Sequence, residues 1–366
     1  MNWKRTASTI LFAFFFFISA QHASAADTQD WRKDTAAARE ARARGEYTLA
    51  QTLYKQAIDL QEKTLGPNSP AVAVSLNNLA VSYQDASMDT QADLAYRHAV
   101  AILEKHPGQE NLLGQTLNNL AALNHEQGHD SDAETFYGRA LQLWEKVGAE
   151  AHANEVITLT GLASIYHDRN MDVDAQWLYE KALILSDEGS QNESTAVANI
   201  QFRLAEIYES QSKNSEAEPL YSQALAVWQN SGQMNTKEAI AALDHLGEIF
   251  RAEGKYAEAE PLLKQALEAK EHRFGPDHLD VAAGLNNLAL LYYCEGNYAA
   301  AEPLYKRAVE IRESNLGLAD PAVQQTIQFY AAVLRQEGRS AEAASLENHH
   351  TTRSGVVHPK GFEPLA

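Results

Sequence analysis

Cysteine is nearly missing from this chain: Cys294 is the single one among 366 residues. One thiol allows no internal disulfide and no paired-cysteine metal site. Long apolar runs are scarce as well. The clearest runs from Ile10 to Ala20, behind Lys4 and Arg5 and ahead of Ala23-Ser24-Ala25. At about 11 residues it falls short of the roughly 20 that span a bilayer. Basic start, apolar middle and small-residue end form the pattern of a secretory signal peptide over residues 1–25, with cleavage expected after Ala25. Cys294 is far from that point, which speaks against a lipoprotein. An exported chain so poor in cysteine fits a bacterial periplasm better than a disulfide-rich extracellular setting. Positive charge is also short: 30 Lys and Arg face 49 Asp and Glu, a net charge of −19. Without Lys4 and Arg5 the balance is 28 against 49, or −21. Such a surface repels nucleic acid and anionic headgroups. We therefore expect no nucleic-acid partner and no membrane insertion after signal cleavage.

Catalytic signatures are equally thin. No Gly-rich loop sits between a strand and a helix, and no Gly-x-Ser-x-Gly occurs. The one apparent motif is His125-Glu126-Gln127-Gly128-His129, a literal H-E-x-x-H. In zinc proteases both histidines lie on one face of an unbroken helix, with the glutamate as general base. Here Gly128 shares a register with Gly45, Gly254, Gly296 and Gly338, so it reads as a turn that ends the helix before His129. We expect no metal, no cofactor and no enzymatic activity.

What the chain does contain is repetition. Ala50, Ala92, Ala133, Ala175, Ala217, Ala259, Ala301 and Ala343 recur at steps of 42 residues, with one step of 41. Each marks the second of two helices. The first helix of a unit carries apolar residues at i, i+3, i+4 and i+7, such as Leu76, Leu79, Ala80 and Tyr83, or Leu285, Leu288, Ala289 and Tyr292. That spacing is one stripe on a helix of period 3.6. The second helix carries Ala-x-x-x-Tyr-x-x-Ala, as in Ala92/Tyr96/Ala99. Its acidic start and Pro219, Pro261 and Pro303 place those prolines in the first turn. Hairpins fall near 30–65, 70–106, 109–147, 151–188, 192–231, 236–274, 278–315 and 320–348. Each unit can bury its apolar face only against neighbours, so the array is an α-solenoid. The first unit, with Ala37, Ala38 and Ala41 amid Arg32, Lys33, Arg39, Arg42 and Arg44, reads as a solubilising cap. Residues 349–366 lose the period and read as a disordered tail.

Leu-x-x-Leu-Ala-x-x-Tyr, then Gly, then Ala-x-x-x-Tyr-x-x-Ala resembles the tetratricopeptide repeat. The 42-residue period and the segments Leu76-Asn77-Asn78-Leu79-Ala80, Leu117-Asn118-Asn119-Leu120-Ala121 and Leu285-Asn286-Asn287-Leu288-Ala289 resemble the extended repeats of kinesin light chains. The resemblance spans roughly residues 30–347. It implies an all-α, right-handed α-solenoid of about eight hairpins that binds a protein or peptide partner in a concave groove without catalysis. In that family the groove is lined by first-helix residues beside the core stripe. One such column holds Asn77, Asn118, Thr160, Phe202, Asp244 and Asn286. A second holds Gln84, His125, His167, Arg251 and Tyr293. Asparagine can both donate and accept hydrogen bonds with an extended backbone. Two other classes stay open: an assembly protein that oligomerises through the solenoid ends, and a metal-dependent enzyme built on the His125 region.

Overall fold

Helix dominates for the reason the stripes suggest: every segment between turns presents one apolar face and no competing alternation. The computed structural model describes residues 25–188 and 194–354. These form two compact units, divided between residues 192 and 193. The first unit contains α1 (Ala25–Ala43), α2 (Tyr47–Leu65), α3 (Pro70–Asp85), α4 (Asp89–Leu103), α5 (Glu110–Glu126), α6 (Asp130–Val147), α7 (His152–Asp168) and α8 (Asp172–Glu188), with a short 3-10 turn at Ala149–Ala151. The second contains α9 (Thr195–Ser210), α10 (Asn214–Asn230), α11 (Lys237–Ala252), α12 (Tyr256–Phe274), α13 (Leu279–Glu295), α14 (Tyr298–Leu316), α15 (Pro321–Gln336) and α16 (Ser340–Ser354). The described residues contain no strand. The chain is an all-α repeat solenoid, with four hairpins in each unit. Within a unit, each second helix packs on its own first helix and on the first helix that follows.

The alanine register is the axis of this packing. All eight marker alanines are fully buried, and Tyr54, Tyr96, Tyr179, Tyr221 and Tyr305 beside them are almost so. Alanine at the marker lets two helices approach; tyrosine one turn on fills the space between hairpins. First helices are started by side-chain caps: Ser69, Ser194, Thr236 and Asp320 each accept a backbone N–H of the first turn. Such caps satisfy donors that the helix itself cannot.

The hairpin turn needs a residue in the left-handed region. Gly45, Gly128, Gly254, Gly296 and Gly338 have φ between 75° and 83°. In the other three hairpins the same position is Ser87, Asn170 or Ser212, at φ 59°, 58° and 60°. The turn geometry is common to all eight units even where glycine is not.

Two expectations need correction. Pro219, Pro261 and Pro303 are not in the first turn: α10, α12 and α14 start five residues earlier, so each proline lies inside the helix. The carbonyls of Ser215, Ala257 and Ala299 thereby lose their helical N–H partner. The last helix does not stop at 348 but continues to Ser354. The disordered-tail reading therefore fails for residues 349–354, while residues 355–366 lie outside the described residues. The expected signal segment, residues 1–24, also lies outside them, and Ala25 is the first residue of α1. Among the described residues there are sixteen α-helices, two for each of eight hairpins.

Candidate functional site: the first-helix face

The two candidate columns lie seven residues apart on the first helices, and the structure treats them differently. In the later column each side chain is half-buried and held by the start of the second helix or its tyrosine. His125 Nδ1 lies 2.8 Å from Asp130 Oδ1, and His167 Nδ1 lies 2.9 Å from Asp172 Oδ1. His125 Nε2 also reaches Asp168 Oδ2 at 3.8 Å. Gln84 Oε1 accepts the Tyr96 hydroxyl at 2.5 Å. The Tyr293 and Tyr298 rings are 5.5 Å apart. Arg251 Nη1 stands 3.9 Å from Cys294 Sγ. These residues share one register, and most remain partly open to solvent.

The earlier column is a seam rather than a free face. Asn118 is only 6% exposed. Its Oδ1 accepts the Thr158 hydroxyl at 2.8 Å, and Thr158 Oγ1 in turn receives Trp144 Nε1–H at 2.7 Å. Phe202 is 2% exposed and packs against Tyr221 and Trp228, each at 5.9 Å between ring centroids. Asp244 Oδ2 is 2.5 Å from Lys270 Nζ, an ion pair that is almost wholly buried. Phe202 and Asn118 are thus core residues, and Asp244 is committed to its lysine; none is available as a groove contact. Thr160 donates to the Val156 carbonyl of its own helix at 2.7 Å. Asn77 is half-buried and its Oδ1 accepts Asn119 Nδ2 at 3.1 Å, joining first helices of successive hairpins. Asn286 is half-buried, and its Oδ1 is enclosed without a hydrogen bond.

The physical reason is angular. The residue after the first stripe position is turned 100° from it, toward the next hairpin. One residue further on, Asn78, Asn119, Arg203, His245 and Asn287 are all half-exposed. These are the positions that the sequence reading passed over. The doubled asparagines carried part of the signal: Asn118 is buried in the seam, whereas Asn119 is half-exposed and its Nδ2 donates to Asn77.

One cluster in the second unit ties three helices together. His245 Nδ1 lies 2.9 Å from Glu209 Oε2, which also accepts the Tyr221 hydroxyl at 2.8 Å. The His245 and Tyr221 rings stack at 5.5 Å and 2°. Burial works against the His245 imidazolium, yet the hydrogen bond and charge of Glu209 raise its pKa above the usual value. Burial likewise works against the Glu209 carboxylate, yet His245 and Tyr221 hold its pKa below the ordinary range. Glu248 has no such partner, and burial pushes its pKa up. The H-E-x-x-H segment is divided by its turn: α5 ends at Glu126, Gly128 is left-handed and His129 is the residue before α6. Among the described residues, no group of three or more His, Cys, Asp or Glu could hold a metal ion.

These features define an all-helical repeat protein whose open face is a run of polar and charged first-helix side chains. The tetratricopeptide repeat model matches residues 37–105, 112–188, 237–314 and 282–353, and the chain belongs to that family. No curated protein matches it. Among solved structures, it is similar to the tetratricopeptide-sensor signal transduction ATPase of Pyrococcus horikoshii. The identity is 13% and the TM-score 0.58, covering 84% of this chain and 44% of that one. It is also similar to pilF of Pseudomonas aeruginosa, with 16% identity, a TM-score of 0.52, and coverage of 70% and 97%. BtubC (BKLC) from P. vanneervenii shows 22% identity and a TM-score of 0.48, covering 64% and 95%. At these identities the likeness is one of fold. Repeats of this family act as protein–protein interaction scaffolds.

Proposed function

We propose that the chain is a non-catalytic scaffold, exported by its N-terminal segment to a bacterial periplasm, that holds an extended peptide along the first helices of a unit. The supporting observation is a half-exposed polar register, Asn78 and Asn119 in the first unit and Arg203, His245 and Asn287 in the second. His245 is held by Glu209 and stacked on Tyr221, so the side chains at this register that can meet a peptide backbone are Asn78, Asn119, Arg203 and Asn287. Gln84, His125, His167, Arg251 and Tyr293 border the same face. The partner is a protein or peptide, and neither nucleic acid nor lipid suits a chain of net charge −19.

The test uses the full chain. Partners crosslinked in cells are identified by mass spectrometry, and their segments are titrated against wild type and Asn78→Ala/Asn119→Ala. We expect binding to weaken about 5- to 150-fold, from a loss of roughly 0.5–1.5 kcal/mol per hydrogen bond. Unchanged affinity removes this face. Export is checked separately: the purified mature protein should begin at Ala26, and an intact Met1 in the soluble cytoplasmic fraction overturns it.

A further inference from the structure

Helix α8 carries an apolar stripe that the repeat does not need. Val173, Trp177 and Ile184 are 78%, 61% and 60% exposed. Their spacing of four and seven puts them on one face. The same three positions hold Ser131, Thr135 and Gln142 in α6, and Ala299, Pro303 and Glu310 in α14. The buried face of α8 is meanwhile complete, with Ala175, Leu178, Tyr179 and Ala182 at most 4% exposed. The stripe is therefore additional to folding. A lone exposed apolar residue is ordinary, but three large ones in line mark a contact surface, and tryptophan is the side chain most often central to one.

The margin of the stripe is acidic. Asp174 and Asp187 are exposed, and Glu180 is half-buried beside them. The one cation there, Lys181, has its Nζ 2.8 Å from Glu155 Oε1 and 6.0 Å from the Trp177 ring centroid, so its charge is already taken. We propose that the Val173/Trp177/Ile184 face docks an amphipathic helix of another protein whose apolar stripe is flanked by Lys or Arg. Two helices can bury their stripes side by side while opposite charges pair along the edges. A second copy of this chain fits worse, because it would set one acidic margin, on a chain of net charge −19, against another.

The experiment titrates the full chain, at near-physiological salt, with two labelled 18-residue helical peptides. One has leucine on one face and lysine at the edges; the other replaces each lysine with glutamate. We expect the lysine peptide to bind and the glutamate peptide not to. Val173→Ser/Trp177→Ser/Ile184→Ser should weaken the lysine peptide at least tenfold with an unchanged circular dichroism spectrum. Asp174→Asn/Asp187→Asn should flatten the salt dependence. Equal affinity in the serine variant, no binding of the lysine peptide, or equally tight binding of the glutamate peptide each overturns the proposal. So does a dimer seen by light scattering that the serine variant abolishes, since a second copy would then occupy the face.

Discussion

The seam between hairpins is built in three ways within one chain. In the first unit it is neutral: Trp144 donates to Thr158, and Thr158 to Asn118. In the second unit the three equivalent positions hold Lys270, Gly284 and Asp244. There an ion pair replaces the hydrogen-bond chain. The lysine lies so close over the helix that a β-carbon on Gly284 would meet Lys270 Cδ at 3.3 Å and Nζ at 3.5 Å. The third hairpin of that unit is different again, with Arg312 donating to Thr326 near the unpartnered Asn286 Oδ1. The repeat dictates where a polar group must be satisfied and leaves open which chemistry satisfies it. It also couples the choices, because a long second-helix side chain demands a small residue opposite.

The largest effect should come from breaking the charged seam. Lys270→Met leaves the Asp244 carboxylate enclosed without a partner, which should cost about 3–5 kcal/mol in urea unfolding. Adding Asp244→Asn to Lys270→Met removes the stranded charge and should recover a good part of that loss. Additive costs of the two substitutions would show that the positions are independent.

Next in size is the neutral seam. Asn118→Ala removes a buried amide that accepts from Thr158 and fills the seam; Thr158 keeps the Asn154 carbonyl as acceptor, so the loss should be roughly 1–3 kcal/mol, mostly from lost packing. Asn78→Ala, one position nearer solvent in its own hairpin, should change stability by no more than about 0.5 kcal/mol. Equal effects at the two sites would erase the distinction between seam and open face.

The His245–Glu209 pair predicts a pH window in the second unit. The raised His245 pKa contributes stability that is complete below the unfolded histidine value and is lost as pH rises through the folded value. The lowered Glu209 pKa contributes stability present above the unfolded carboxylate value and lost as pH falls through the folded one. Both contributions are fully present only between about pH 4.5 and 6.5, the ordinary values of the two groups. The stability gap between wild type and His245→Gln should peak there and shrink on either side. A gap that is flat from pH 4 to 9 would mean the stacking on Tyr221, not charge, holds the cluster.

The smallest effect concerns the turns. Ser87→Gly relieves a left-handed serine and should stabilise by about 0.5–1 kcal/mol, whereas Gly128→Ala at the equivalent turn should cost about 1 kcal/mol. Thermal midpoints moving in the same direction for both would contradict the shared geometry.

The fold was legible because a 42-residue recurrence of buried alanine leaves few other ways to hide the apolar stripes. The site was only half legible. His125, His167 and Gln84 are half-buried and share one register, whereas Asn118, Phe202 and Asp244 are taken into the seam. A hydrophobic stripe defines the centre of a helix's buried face and says little about its width. On these helices the next hairpin overlaps one flank and takes the residue 100° away into the seam. The prolines were misplaced because capping signals mark a helix start only to within a turn, and α10, α12 and α14 begin earlier than their acidic residues suggest.

Sequence alone determined that this chain is a helical repeat, where its hairpins turn and which alanines form its core. Those follow from period and side-chain volume, which are local properties copied eight times. The tertiary structure decided which polar residues are spent inside the seams and which stay partly exposed. It also decided that α8 keeps Val173, Trp177 and Ile184 in water. Burial depends on what the neighbouring hairpin places opposite a side chain, and no single repeat contains that information.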